Sequence, residues 1–133
     1  MTAKEKVYEW IEKNQDEVVG LLKKLIQVPS VNPYFDEEKT YMKEGDAQKV
    51  LREYLDEMGM ETEFTYPNAE ELASYEGKPG YYADHTFDDR PNLYGILRGT
   101  GGGKSMMLSG HIDVVQRGSK WTRDPFGAEI EEG

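Results

Sequence analysis

Cysteine is absent from this 133-residue chain. That excludes disulfides and thiolate metal sites, and it fits a reducing, cytoplasmic setting. Positive charge is scarce: 16 Lys and Arg face 26 Asp and Glu, a formal net charge of −10. That balance argues against nucleic acid, whose binding rests on cationic side chains displacing phosphate counterions. It also argues against a basic helix lying on an anionic membrane. No run approaches the roughly 18 apolar residues that a membrane span needs. The start, Met1-Thr2-Ala3-Lys4-Glu5-Lys6, leads into a polar stretch and not an apolar signal core. Apolar residues make up only 37% of the chain, but 11% aromatics and clear periodicity describe a folding chain, not a disordered acidic tail. There are no internal repeats. The length is that of one ordinary domain, so a single core is expected.

Apolar residues Val7, Trp10, Ile11, Val18, Leu21, Leu22 and Leu25 recur at helical spacing, interrupted where Asn14 takes an apolar position. The spacing predicts a helix that stops near Val28, because Pro29 disfavours helical backbone in the residue before it. Val31-Asn32-Pro33 continues as an extended loop. Ala47, Val50, Leu51, Tyr54, Leu55 and Met58 mark one face of a second helix, with Asp46 at its start and Gly59 as its left-handed stop. Met60, Thr62 and Phe64 alternate with Glu61 and Glu63 as a half-buried strand. Periodicity disappears over 67–91, an irregular insertion of the kind that is functional or mobile. Leu93-Tyr94-Gly95-Ile96-Leu97 and Ser105-Met106-Met107-Leu108 read as strands joined by glycines 99–103, a hairpin. Ala128-Glu129-Ile130 begins another strand. Helix, helix, strand and hairpin make the opening of an α/β layer structure. The chain ends on a turn signal with nothing after it, so 1–133 is expected to be a truncated piece.

Three groups could carry chemistry. Gly103-Lys104-Ser105 has the end of a phosphate-binding loop, but the first glycine such a loop needs falls at Arg98 and an apolar strand follows instead of a helix. A hairpin turn is the better reading. Asp84-His85 with Asp88 and Asp89 could hold a divalent cation. They sit in a polar loop without the ordered element that a precise metal site demands, which favours a solvated acidic loop. The third group is Leu108-Ser109-Gly110-His111-Ile112-Asp113-Val114-Val115. His111 and Asp113 are two residues apart, so extended backbone points both side chains to one side. In open α/β sheets ligands sit beyond the carboxyl ends of strands. A neutral imidazole there can bind zinc while a carboxylate accepts its other ring proton. Spacing alone leaves metal ligation and a simple loop hydrogen bond both open.

The surroundings of that third group add a resemblance. Ser109 to Val115, followed by Trp121, Asp124-Pro125-Phe126 and Glu129 to Gly133, resembles the metal-dependent amidohydrolases that include acetylornithine deacetylase, succinyl-diaminopimelate desuccinylase, aminoacylase and glutamate carboxypeptidase-type enzymes. Leu21 to Pro33 is similar to the family's opening helix and loop, and Arg90-Pro91-Asn92-Leu93 and the glycine run fit as well. The resemblance implies the N-terminal part of a zinc-peptidase-like catalytic domain, with helices packed on a mixed sheet and the lid domain absent. It implies two zinc, cobalt or manganese ions per complete site, whose activated water attacks an amide of a small N-acyl amino acid or peptide. His111 corresponds to a ligand of one metal, and Asp113 to the active-site acid that orients this histidine. The family's bridging Asp follows a Tyr-Gly-Arg-Gly segment that would lie just past Gly133. The general base and remaining ligands lie further on, so the piece alone is expected to be inactive. His85 maps to no family ligand. The full-length protein is expected to be a cytoplasmic homodimer. The other class open to this sequence is a naturally short acidic domain without catalysis, its nine Tyr forming a contact surface.

Overall fold

The computed structural model describes residues 1–36, 40–83 and 86–131. They form a mixed α/β structure that divides into two compact units, 1–28 with 117–133 and 29–116, where length alone suggested one core.

The first unit is built on two helices in place of the single one expected. α1 runs Ala3–Lys13 and α2 runs Gln15–Ile26. Thr2 opens α1 with a reciprocal cap: its hydroxyl accepts the Glu5 N–H and the Glu5 carboxylate accepts the Thr2 N–H. Asn14 breaks the pair. Its side-chain amide donates to the Trp10 carbonyl at 2.6 Å, competing with the helical ladder, and its backbone leaves the helical region at φ −119°, ψ 27°. The Asn14 carbonyl then accepts the Glu17 and Val18 N–H groups to start α2. Of the expected apolar stripe, Val7, Trp10, Ile11, Val18 and Leu22 stay exposed, while Leu21 and Leu25 are half-buried. In the same unit, Asp124 organises the turn at 124–127 by accepting the Phe126 N–H on its carboxylate and the Gly127 N–H on its carbonyl. Arg123 pairs with Glu129 and Glu131. The strand expected at Ala128-Glu129-Ile130 does not form: Ala128 adopts φ 53°, which breaks an extended run.

The second unit carries α3 (Glu44–Glu57), β1 (Glu61–Thr65), α4 (Ala69–Ala73) and β2 (Asn92–Ile96). The predicted face of α3 packs as far as Leu55, while Met58, just past the helix end, is 61% exposed. Ala47 is fully buried and Val50, Leu51, Tyr54 and Leu55 are half-buried, while Asp46, Lys49, Glu53 and Glu57 face solvent. Asp46 lies in the first turn instead of capping it, and Gly59 provides the left-handed stop at φ 75°. β1 alternates as expected, with Thr62 and Phe64 toward the helix; the Arg52 guanidinium lies 4.9 Å from the Phe64 ring centre. The short helix α4 interrupts the segment read as irregular. Asn68 caps it by accepting the Glu70 and Glu71 N–H groups.

The sheet differs from the expected hairpin. Among the described residues the only ladder is antiparallel β1–β2, with Glu61 opposite Ile96 and Thr65 opposite Asn92. Three contacts tie β2 and its approach to α3. The Arg90 guanidinium pairs with both Glu44 carboxylate oxygens, Gly45 lies against the Asp89 carbonyl, and Gly95 lies against Leu55. Ser105 to Leu108 has no such anchor. It leaves the glycine run, where Gly101 and Gly102 sit at φ 89° and 75°, outside any strand, with Met106, Met107 and Leu108 at 83–86% exposure. No helix among the described residues is long and apolar enough to cross a membrane.

Candidate functional site

Residues 30–32 form the spine of the site. Val31 is buried, and the Val31 N–H donates to the Tyr41 carbonyl at 2.9 Å, with an antiparallel bridge between Ser30 and Met42 on that side. On the other side Val31 bridges Val114 in parallel. The Val114 N–H donates to the Ser30 carbonyl and the Asn32 N–H to the Val114 carbonyl, each at 2.9 Å. The buried Ser30 hydroxyl adds a 2.7 Å bond to the Ile112 carbonyl. The 112–114 segment is therefore pinned at three points, two by main chain and one by a side chain. The two ends of this arrangement are about 80 residues apart in sequence, so it closes only when the unit folds.

That pinning brings His111 and Asp113 together, as their spacing predicted. His111 Nδ1 lies 3.0 Å from Asp113 Oδ1 and 2.9 Å from the Asp113 carbonyl oxygen. Both partners are acceptors, so Nδ1 carries a proton, and in the neutral ring it is Nε2 that keeps the lone pair. The His111 side chain is 84% exposed, so that lone pair faces open space, whereas Asp113 is 34% exposed. The second Asp113 oxygen, Oδ2, accepts a 2.9 Å hydrogen bond from the Asn32 side-chain amide. Asp113 is held below the usual carboxylate range, first by the Asn32 amide and next, against some desolvation, by His111. A carboxylate kept ionised behind a Nδ1-protonated imidazole is the arrangement that presents a histidine as a metal ligand.

Asn32 is the residue that sequence reading missed. It sat in a segment read only as extended loop, and nothing in its local spacing links it to a carboxylate 81 positions away. The Asn-Pro pair was the one available signal, since an Asx turn frees its amide for a distant partner. Here Oδ1 accepts the Tyr34 N–H at 3.0 Å, which leaves Nδ2 for Asp113.

The other two candidates do not assemble. The glycine run is exposed and opens no helix. Asp84 and His85 lie outside the described residues. Among the described residues no three His, Cys, Asp or Glu side chains converge as a metal cluster. The residues present thus fit a metal as one imidazole ligand with its outer carboxylate, not as a complete ligand set.

No family model matches the chain, and no solved structure matches it. Among curated proteins it is 31% identical over 117 residues to a succinyl-diaminopimelate desuccinylase of Methylocella silvestris, covering 86% of this chain and 24% of that protein. A desuccinylase of Wolinella succinogenes is 53% identical over 38 residues, 29% of this chain and 10% of that protein. The chain spans a quarter or less of the length of these relatives. The resemblance is to hydrolases of the deacylase kind, and it is distant.

Proposed function

We propose that this chain is the N-terminal part of the catalytic domain of a metal-dependent deacylase. The enzyme would hydrolyse an amide bond of a small N-acyl amino acid or peptide. The carrying observation is the His111–Asp113 pair, in which two acceptors face Nδ1 on an exposed ring and so favour the neutral tautomer that offers Nε2. The similarity to two desuccinylases agrees with it. In this reading His111 Nε2 holds one metal ion, and Asp113 orients the ring and raises its basicity without touching the metal. When bound, a pair of zinc, cobalt or manganese ions supplies Lewis acidity and lowers the pKa of the attacking water. Asn32 and the 30–32 spine supply rigidity, since a ligand held on a fixed element loses little freedom on binding. The remaining ligands, a general base, a lid domain, a homodimer and a cytoplasmic setting belong to the complete protein in this reading.

The test uses the complete reading frame. This reading expects that frame to encode, downstream of the Gly133 codon, a Tyr-Gly-Arg-Gly segment and then Asp; a stop codon there favours a short acidic binding domain. In its purified product, His111→Ala lowers the metal content by elemental analysis and abolishes amide hydrolysis. Full metal content with undiminished turnover in that variant would overturn the assignment.

A further inference from the structure

Asn32 has every polar group of its backbone and side chain engaged, and the four bonds have two different purposes. Its N–H pairs with Val114, its carbonyl accepts the Phe35 N–H at 2.8 Å, and Oδ1 accepts the Tyr34 N–H at 3.0 Å. These three shape the backbone. The fourth alone holds a side chain: Nδ2 donates to Asp113 Oδ2 at 2.9 Å, on the oxygen that His111 does not use. A carboxylate has one soft torsion next to its oxygens. With one oxygen anchored on the Asn32 amide, the other is held toward His111 Nδ1.

We infer that Asn32 is a positioning residue: its side-chain amide fixes the rotation of the Asp113 carboxylate, and so keeps His111 in the Nδ1-protonated tautomer with Nε2 free for a cation. This rests on the metal-ligand reading of His111 given above. The amide is suited to the task because it has both an acceptor for the turn and a donor for the carboxylate. No other residue type of this size offers both. Aspartate matches its shape and keeps the acceptor, but presents a charge-repelling oxygen where the donor was. Serine keeps a turn acceptor and is too short to reach Asp113.

The experiment follows the His111 ring in the metal-free 133-residue chain, labelled with 15N, by long-range proton–nitrogen correlation. His85 gives the second set of ring signals, and His85→Gln removes it. In the unsubstituted chain the Nδ1–H tautomer of His111 dominates. In Asn32→Asp it loses that majority, and the thermal midpoint falls with it, because the new carboxylate repels Asp113 although the turn acceptor remains. Asn32→Ser gives the same tautomer change by a different route, and it decides the matter if the aspartate variant does not fold. A retained Nδ1–H majority in a folded Asn32 variant overturns the positioning role and leaves the metal reading standing. A Co2+ titration of the complete protein separates the two ideas. Paramagnetic broadening of the His111 ring protons needs about 10–100-fold more cobalt in the Asn32 variants, the range for partners behind a ligand. If cobalt leaves the His111 signals of the complete parent protein untouched, the metal reading fails, and the tautomer measurement still judges Asn32.

Discussion

His111 Nδ1 stands 3.0 Å from Asp113 Oδ1 and 2.9 Å from the carbonyl oxygen of the same residue, so one aspartate meets the imidazole with both side chain and main chain. The two contacts differ in what mutation can remove. In Asp113→Asn the carbonyl contact survives, while the carboxylate charge that raises ligand basicity is gone. The expected outcome in the complete enzyme is metal affinity or activity reduced about 10–100-fold, short of the full loss from His111→Ala. Metal competition titrations and steady-state kinetics on the two variants check this ordering.

Arg90 and Glu44 form an ion pair with side chains only 14% and 9% exposed. Glu44 begins α3, and Arg90 stands just before β2, so the pair clamps the helix start to the approach of the strand. The guanidinium also donates to the Thr86 carbonyl and lies 5.0 Å from the Phe87 ring centre. Removing the cation alone leaves a carboxylate with little water and no partner. Arg90→Met is expected to lower stability by roughly 3–5 kcal/mol, and the double change Glu44→Leu with Arg90→Met to recover most of it. Urea midpoints for both single variants and the double variant complete a mutant cycle; equal losses for single and double would contradict the clamp.

Local pattern made the α3–β1 region legible in advance. The packed face of α3, the stop at Gly59 and the alternation of Thr62 and Phe64 all follow from spacing of three to four or of two. Asn14 was visible as an interruption, but its consequence depended on a side-chain bond to Trp10 that ends α1. Strand pairing was not legible. Chain proximity favoured Leu93–Leu97 with Ser105–Leu108, whereas β2 pairs with β1 because Arg90, Gly45 and Gly95 tie it to α3. The same division holds at the site. His111 and Asp113 are neighbours in sequence and could be paired by eye; Asn32 reaches them only through the bridge of Val31 to Val114.

Acid should erase part of what Asp113 contributes. Its folded carboxyl titrates below the unfolded one, with the Asn32 amide the largest cause. A lowered carboxylate adds stability above its unfolded pKa of ~3.9, and that stability is lost as pH falls through the lower folded value. The difference in denaturant midpoint between the parent chain and Asp113→Asn is therefore expected to be widest near neutrality and to close in strong acid. A gap that stays constant down to the acid limit would mean that the Asn32 and His111 bonds do not distinguish the ionised carboxylate.

Two glycines set helix propensity against steric fit, and they should answer in opposite directions. Gly20 lies within α2 and Gly45 within the first turn of α3, so propensity alone favours alanine at both, by about 0.5–1 kcal/mol. A Cβ at Gly20 would meet nothing within 4 Å. A Cβ at Gly45 would lie 2.1 Å from the Asp89 carbonyl oxygen and 3.1 Å from its carbon. Those atoms are main chain and cannot rotate aside as a side chain would. They also belong to the segment that leads through Arg90 into β2. Gly45→Ala must push α3 and that segment apart, loosening the Glu44–Arg90 pair next to it, at a cost of roughly 1–3 kcal/mol for overpacking. Gly20→Ala is expected to raise the urea midpoint and Gly45→Ala to lower it. A gain in both variants would show that α3 does not press on 89–91, and with it would go the explanation of why β2 lies beside β1.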